Sequence, residues 1–199
     1  MPTDCTGHLT ANIIFDCANA PVGGIEQNVV LINKEDIDIT SIATDIANDL
    51  VVTQLQLLGA THGYRLTGVK QSNGKAWELV KKENAPDKFK HTFSGVIFNP
   101  SAENKQQAAA LAKGSKYVAI IEQVWKGAGS KDAFEILGLT SGLEIATMTN
   151  SSKENDNMIM FELTSADGFE EATMPKNLLI EDSYADTKEA FDDLFVATP

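Results

Sequence analysis

Cys5 and His8 stand three residues apart, and both are zinc-ligand types. A structural zinc needs four converging ligands. The other cysteine is Cys17, and His62 and His91 stand alone and far off, so neither a metal site nor a cofactor is expected. Glu170-Glu171 and Glu181-Asp182 are paired acids of the kind that hold a hard cation. Calcium loops, however, alternate their ligands and bend at a glycine, and neither pair does so. Asn155-Asp-Asn157 is closer in composition but reads as the polar tip of a hairpin. Gly127-Ala-Gly-Ser130 falls between two strand-like runs, whereas a phosphate cradle needs a helix N-terminus behind it.

The chain has no Gly-x-Ser-x-Gly, Gly-x-x-x-x-Gly-Lys, Gly-x-Gly-x-x-Gly or His-Glu-x-x-His motif. His62 and His91 lie in strand or strand-edge settings and read as surface or edge residues rather than as general bases. Nucleic-acid platforms interleave aromatic residues with lysines. Trp77, Trp125 and the phenylalanines instead sit in apolar strand patterns and read as core. No catalytic residue is expected, and the weight shifts from an enzyme toward a structural or assembly role.

Charge narrows the partners further. The 199 residues hold 16 basic and 28 acidic side chains, a net charge of −12. The second half is the more acidic, and from Glu170 onward eight acids face two lysines. Such a surface repels polyphosphate, so tight nucleic-acid binding is not expected. It does suit a protein that sits beside DNA without gripping it. Two cysteines fit a reduced, intracellular setting. The apolar runs are too short to span a membrane, and Met1-Pro-Thr-Asp-Cys5 lacks the basic and apolar regions of a secretory signal.

The elements that must position these residues are mostly strands. Leu9–Asp16, Val29–Asn33, Val51–Leu58 and Tyr64–Val69 are rich in β-branched and apolar residues and bounded by turn signals. Asn73-Gly74 reads as a hairpin tip. His91–Phe98 carries apolar residues on both faces, which predicts burial between two layers. The period then changes: Ser101 caps an alanine-rich helix over Ala102–Lys113, closed by Gly114. Lys116–Trp125, Ala133–Leu137, Gly142–Met148 and Met158–Thr164 follow with short connections and predict an antiparallel meander. Tyr184–Phe195 reads either as a short helix or as an extended arm. The expected fold is mainly β: a single domain over 1–199, an antiparallel sandwich or half-barrel with one flanking helix.

This order of elements resembles the tail-tube-like structural proteins encoded by phages and prophages of Bacteroidetes-type bacteria. The resemblance rests on the Cys17–Gly24 turn segment, the Tyr117-Val-Ala-Ile-Ile-Glu122 strand and the Phe134–Leu143 hairpin. The Leu163–Asp167 segment leading into Phe169-Glu-Glu-Ala-Thr-Met-Pro175 extends it. It covers most of the chain through diffuse motifs. It implies a virion protein, assembled in the host bacterial cytoplasm, that forms a homo-oligomeric ring, usually a hexamer, around the DNA path.

Stacked rings would need reaching segments, for which Gln71–Lys90, Ser165–Ser183 and Tyr184–Pro199 are the candidates. The subunit contacts expected on this reading are Asn73, Gly74, Trp77, Glu170, Glu171, Tyr184, Phe191 and Phe195. Other tail or connector proteins of the virion are the expected partners. Two alternatives stay open beside it, a head–tail connector and a monomeric intracellular β-sandwich binding module with Trp77 at its ligand site. A small β-barrel hydrolase would require His91 or His62 to meet a carboxylate across a sheet.

Overall fold

Tyr117-Val-Ala-Ile-Ile is a run of consecutive apolar residues, and all five are buried. Side chains of a strand alternate between faces, so such a run demands cover on both sides. A computed structural model of the chain, which describes Leu9 and residues 11–194, supplies that cover in three layers. The strands are β1 (Ile25–Asn33), β2 (Ala43–Thr44), β3 (Val51–Gln54), β4 (Tyr64–Thr67), β5 (Gly74–Val80), β6 (Lys88–Ile97), β7 (Tyr117–Gln123), β8 (Phe134–Leu137), β9 (Glu144–Asn150), β10 (Ile159–Thr164) and β11 (Lys176–Leu178). The helices are α1 (Ala102–Leu111) and α2 (Tyr184–Glu189), the latter running on into a π turn at Ala190–Leu194.

A seven-stranded sheet in the order β2-β3-β11-β8-β7-β1-β4 forms the middle layer. A four-stranded sheet, β5-β6-β10-β9, covers one of its faces. Between them lie Val29, Leu31, Phe93, Ala119, Ile121, Leu137, Phe161 and Leu163. The other face is covered by the C-terminal helical segment and by the chain after β1, through Val30, Ile32, Ile37, Val118, Ile120, Phe134, Ile136 and Phe191. The fold is therefore mainly β, as the strand patterns predict, and antiparallel except where β11 pairs with β3.

α1 begins and ends as its signals predict. The Ser101 hydroxyl accepts from the Asn104 N–H, and Gly114 lies beyond the last turn at φ +83°. The Asn155-Asp-Asn157 tip also lies in the β9–β10 hairpin, with Asp156 and Asn157 at positive φ.

Four sequence expectations are corrected, and one open alternative is decided. Leu9–Asp16 is not a strand: among the described residues no edge pairs with it, and its apolar side chains lie in solvent. The four strands after α1 are not one meander but two hairpins in different sheets, β7–β8 and β9–β10. The crossing from β8 to β9 turns at Gly138 and Gly142, both at positive φ, and is pinned by pairing of Tyr117 with Leu143. Asn73-Gly74 is not a hairpin tip, because β4 and β5 belong to different sheets and the turn lies at Lys70-Gln71, again at positive φ.

The strand buried between two layers is β7, whereas β6 leaves Thr92 and Ser94 half-exposed on its outer face. Finally, Tyr184–Leu194 is helical and closes the core with Phe191, so that part is no extended arm. Residues 195–199, which include Phe195, lie outside the described residues.

Candidate assembly surfaces and the joint beneath them

The four-stranded sheet ends in two strands of seven residues each, β5 and β9. Among the described residues, β5 pairs only with β6 and β9 only with β10. Each outer edge therefore presents unpaired N–H and C=O groups, the template that pairs with another chain unless something blunts it. Register places Glu78 opposite Lys90, Ala76 opposite Thr92, Thr92 opposite Thr164, and Ser94 opposite Glu162. Directly opposed residues share a face, so this outer face carries short hydroxyl side chains, the acids Glu78 and Glu162, the lysines Lys88 and Lys90, and exposed Met160. Lys90 is drawn aside toward Asp167 at 3.6 Å. The face is uncovered and shapes only a shallow depression of about 330 Å³.

Trp77 sits on the free edge strand β5 and is 45% exposed, with its ring edge-on to Phe89 at 5.8 Å. Leu79, two residues on, is equally open. The core role expected of Trp77 is thus corrected: the small sheet overhangs the large one at this rim. Gly74 starts the same strand, and a side chain there would meet nothing.

The other expected contact residues face inward. Asn73 is buried, and its Oδ1 accepts from the Val96 N–H while its Nδ2 finds no partner. Glu170 is buried against Lys82 at 2.8 Å. That hydrogen bond, assisted by the backbone N–H groups of Glu170 and Gly168, holds its carboxyl at about 2, against an ordinary 4.5. Glu171 accepts from the backbone N–H groups of Thr140 and Ser141 at 2.7–3.2 Å. Phe191 is fully buried against Phe134, with ring centres 5.2 Å apart.

Tyr184 stacks on Phe134 and donates its hydroxyl to Glu122 Oε1 at 2.7 Å. Burial, with that bond and the nearby acids, pushes its phenol up to about 12. Burial would raise the Glu122 carboxyl, but hydrogen bonds from Lys126, Tyr184 and Lys188 outweigh it and hold the group below the usual range.

Beneath the surfaces lies a polar joint that the sequence did not reveal. His91 on β6, expected at the surface or an edge, is instead buried and reaches into the β8–β9 crossing, where its Nδ1 accepts from the Gly138 N–H at 3.2 Å. Its Nε2 lies 3.0 Å from the Thr173 carbonyl oxygen, to which it donates in the same tautomer. Lys34 donates to the Leu139 carbonyl at 2.9 Å, and Glu171 holds the next two N–H groups. Four consecutive residues, Gly138–Ser141, are thus tied down by side chains from three other segments. Both ring nitrogens of His91 are occupied by backbone, so neither is free to take a proton from a substrate. His62 is exposed and tilted against Tyr64.

Among the described residues no cluster of three or more His, Cys, Asp or Glu is placed to hold a metal, and no helix is long and apolar enough to cross a membrane. Cys5 and His8 lie outside the described residues. No protein-family model matches the chain, and comparison with curated proteins and with solved structures finds no match.

Proposed function

We propose that this chain is a virion structural subunit of the tail-tube kind, closing into a homo-oligomeric ring or stacked tube around the path of DNA. The observation that carries this reading is the small sheet, with a free seven-residue strand at each end and a polar, uncovered outer face. Pairing β5 of one subunit with β9 of the next would satisfy both edges and run the sheets into one continuous barrel. The Thr/Ser/Glu face would then line the lumen. With its two lysines matched by glutamates, and within a chain of net charge −12, it would let DNA slide without sticking. A hexamer and a site of assembly in the host bacterial cytoplasm come from the family resemblance. A head–tail connector ring would use the same edges.

Light scattering and negative-stain imaging of the purified chain test the reading. Rings with a central hole, which neither retain nor retard duplex DNA, are the expected outcome. A species that stays at 21.5 kDa at high concentration, with or without a nucleating partner, would count against it. A second reading, a monomeric binding module, draws on exposed Trp77 beside the shallow depression. It predicts quenching of Trp77 fluorescence by a ligand in a monomeric sample, lost in Trp77→Phe.

A further inference from the structure

Leu9-Thr-Ala-Asn-Ile-Ile-Phe15 has the composition of a strand, yet Leu9, Ile13, Ile14 and Phe15 are 85%, 90%, 81% and 70% exposed. Isolated surface hydrophobes need no explanation, but four on one short uncharged segment mark a surface meant to be covered. The root of this arm is fixed. Asp16 caps the turn Cys17–Asn19, and the Trp125 indole N–H donates to the Asn19 carbonyl at 3.0 Å. The Gly24 carbonyl accepts from the Val124 N–H just beyond β7.

On the far side of β1 the large sheet ends in β4, whose outer edge is free among the described residues. Beside β4 opens a groove of about 850 Å³ floored by Leu31, Leu66, Ile97 and Phe161 and walled by α1. Of the side chains lining it, Arg65 alone is charged. The Gly68 N–H bonds to the Gln27 carbonyl. Since bonded and non-bonded pairs alternate along an antiparallel ladder, Leu66 and Tyr64 then bond toward β1, and the backbone groups of Arg65 and Thr67 point outward.

We infer that the 9–15 arm of one copy adds as an extra strand to the β4 edge of a second copy, seating Ile13 and Phe15 in the groove beside α1. Alternation puts these two side chains on one face of the arm, and β-strand addition uses this combination of edge hydrogen bonds and side-chain pockets. The occupant is a second copy rather than the arm's own chain. The arm lies in solvent, and its root is tied on the β7 side of β1, opposite the β4 edge.

Charge agrees with this choice. Two molecules of net charge −12 repel, but the arm is uncharged and the one charged residue along the groove, Arg65, is already paired with Asp192 at 3.8 Å, so seating the arm brings no like charges together. Area sets the strength: Ile13 and Phe15, at on the order of 150 Å² each, with an equal area of groove, remove about 600 Å² in total. That is below a standard specific interface, so the main-chain hydrogen bonds of the added strand carry part of the contact. Donor and acceptor surfaces differ, so the contact is head-to-tail and links copies into rings or open chains. It stands apart from β5–β9 pairing and does not depend on it.

Two classes of full-length variant test the contact, with circular dichroism confirming that each folds. The donor variant is Ile13→Asp with Phe15→Asp. The acceptor variants are Thr67→Pro, which removes an outward N–H, and Ala110→Arg, which fills the groove from exposed α1 without touching the strand. Wild type is expected to self-associate by light scattering at about 100 µM, and each variant alone to lose the mass this contact adds, falling to a single ring where β5–β9 rings form and to 21.5 kDa where they do not. A 1:1 mixture of a donor and an acceptor variant is expected to regain mass that neither shows alone, since one good arm and one good groove remain.

Folded variants whose mixture gains no mass over either one alone would overturn the contact, and so would a donor variant that keeps the wild-type mass or a monomeric wild type. Rings or tubes of unchanged mass in the donor variant would remove this inference and leave the tube reading standing. Arm-dependent dimers or open chains without a central hole would do the reverse.

Discussion

At the residue scale the β8–β9 crossing shows how a few polar side chains set the distance between two sheets. His91 is neutral in this setting, because burial disfavours its charged form and outweighs the opposite pull of Glu171 and the Thr173 carbonyl. Its folded-state pKa therefore lies below the ordinary 6.5, and the unfolded chain binds the proton more tightly. The stability this histidine contributes is present above about pH 6.5 and is lost as pH falls below it. Melting temperature should thus drop between pH 7 and pH 5, and His91→Gln should flatten that slope while lowering stability at pH 7 by about 1–3 kcal/mol. A slope unchanged in the variant would assign it elsewhere.

Glu170 acts lower on the scale. Its pKa is depressed from 4.5 to about 2 by Lys82 first, so the stability it confers is present above 4.5 and lost as pH falls toward 2. Acid titration of Glu170→Gln should show a shallower loss across that window alone. Both acids of the Glu170-Glu171 pair were visible in the sequence as neighbours. That they face different partners, a lysine and a pair of backbone N–H groups, depends on contacts thirty to ninety residues away.

At the element scale the C-terminal segment matters most for any account of assembly. β11 lies between β3 and β8, and Phe191 fills the core against Phe134. Phe191→Ala should cost about 3–5 kcal/mol, measured by denaturant unfolding. A chain ending at Ser183 should fail to unfold cooperatively; a cooperative transition of wild-type size would show that this layer is dispensable. Ser165–Ser183 is likewise built into the sandwich through β11 and the pairing of Phe89 with Glu171, and Gln71–Lys90 is largely the β5–β6 hairpin. Local pattern located α1 within two residues at either end, since caps and alanines act within one turn. It misassigned Leu9–Asp16, since a strand exists only where another strand pairs with it. The same composition that signals a strand, left without a partner, becomes an arm.

At the scale of the whole molecule, charge opposes association and the free edges favour it. A net charge of −12 on 21.5 kDa repels a second copy over distances that salt shortens, from about 30 Å at 0.01 M to about 8 Å at 0.15 M. Self-association should therefore strengthen as salt rises over that range, read as an increase in weight-average mass. A decrease would mean that ion pairs, rather than edges and apolar contacts, hold the copies together.

Some properties of this protein follow from the sequence alone: its β-rich class, its one well-capped helix and its acidity. Each is a sum over local composition or a periodicity within one element, so no distant residue is needed to read it. The distribution of strands between two sheets was decided only in three dimensions, as were the burial of Asn73, Glu170 and Glu171 and the exposure of Trp77. So was the bonding of both His91 nitrogens. Each of these depends on which residues far apart in the chain compete for the same edge, the same core volume or the same backbone N–H. That competition is settled by packing the whole chain at once, and no window of sequence contains it.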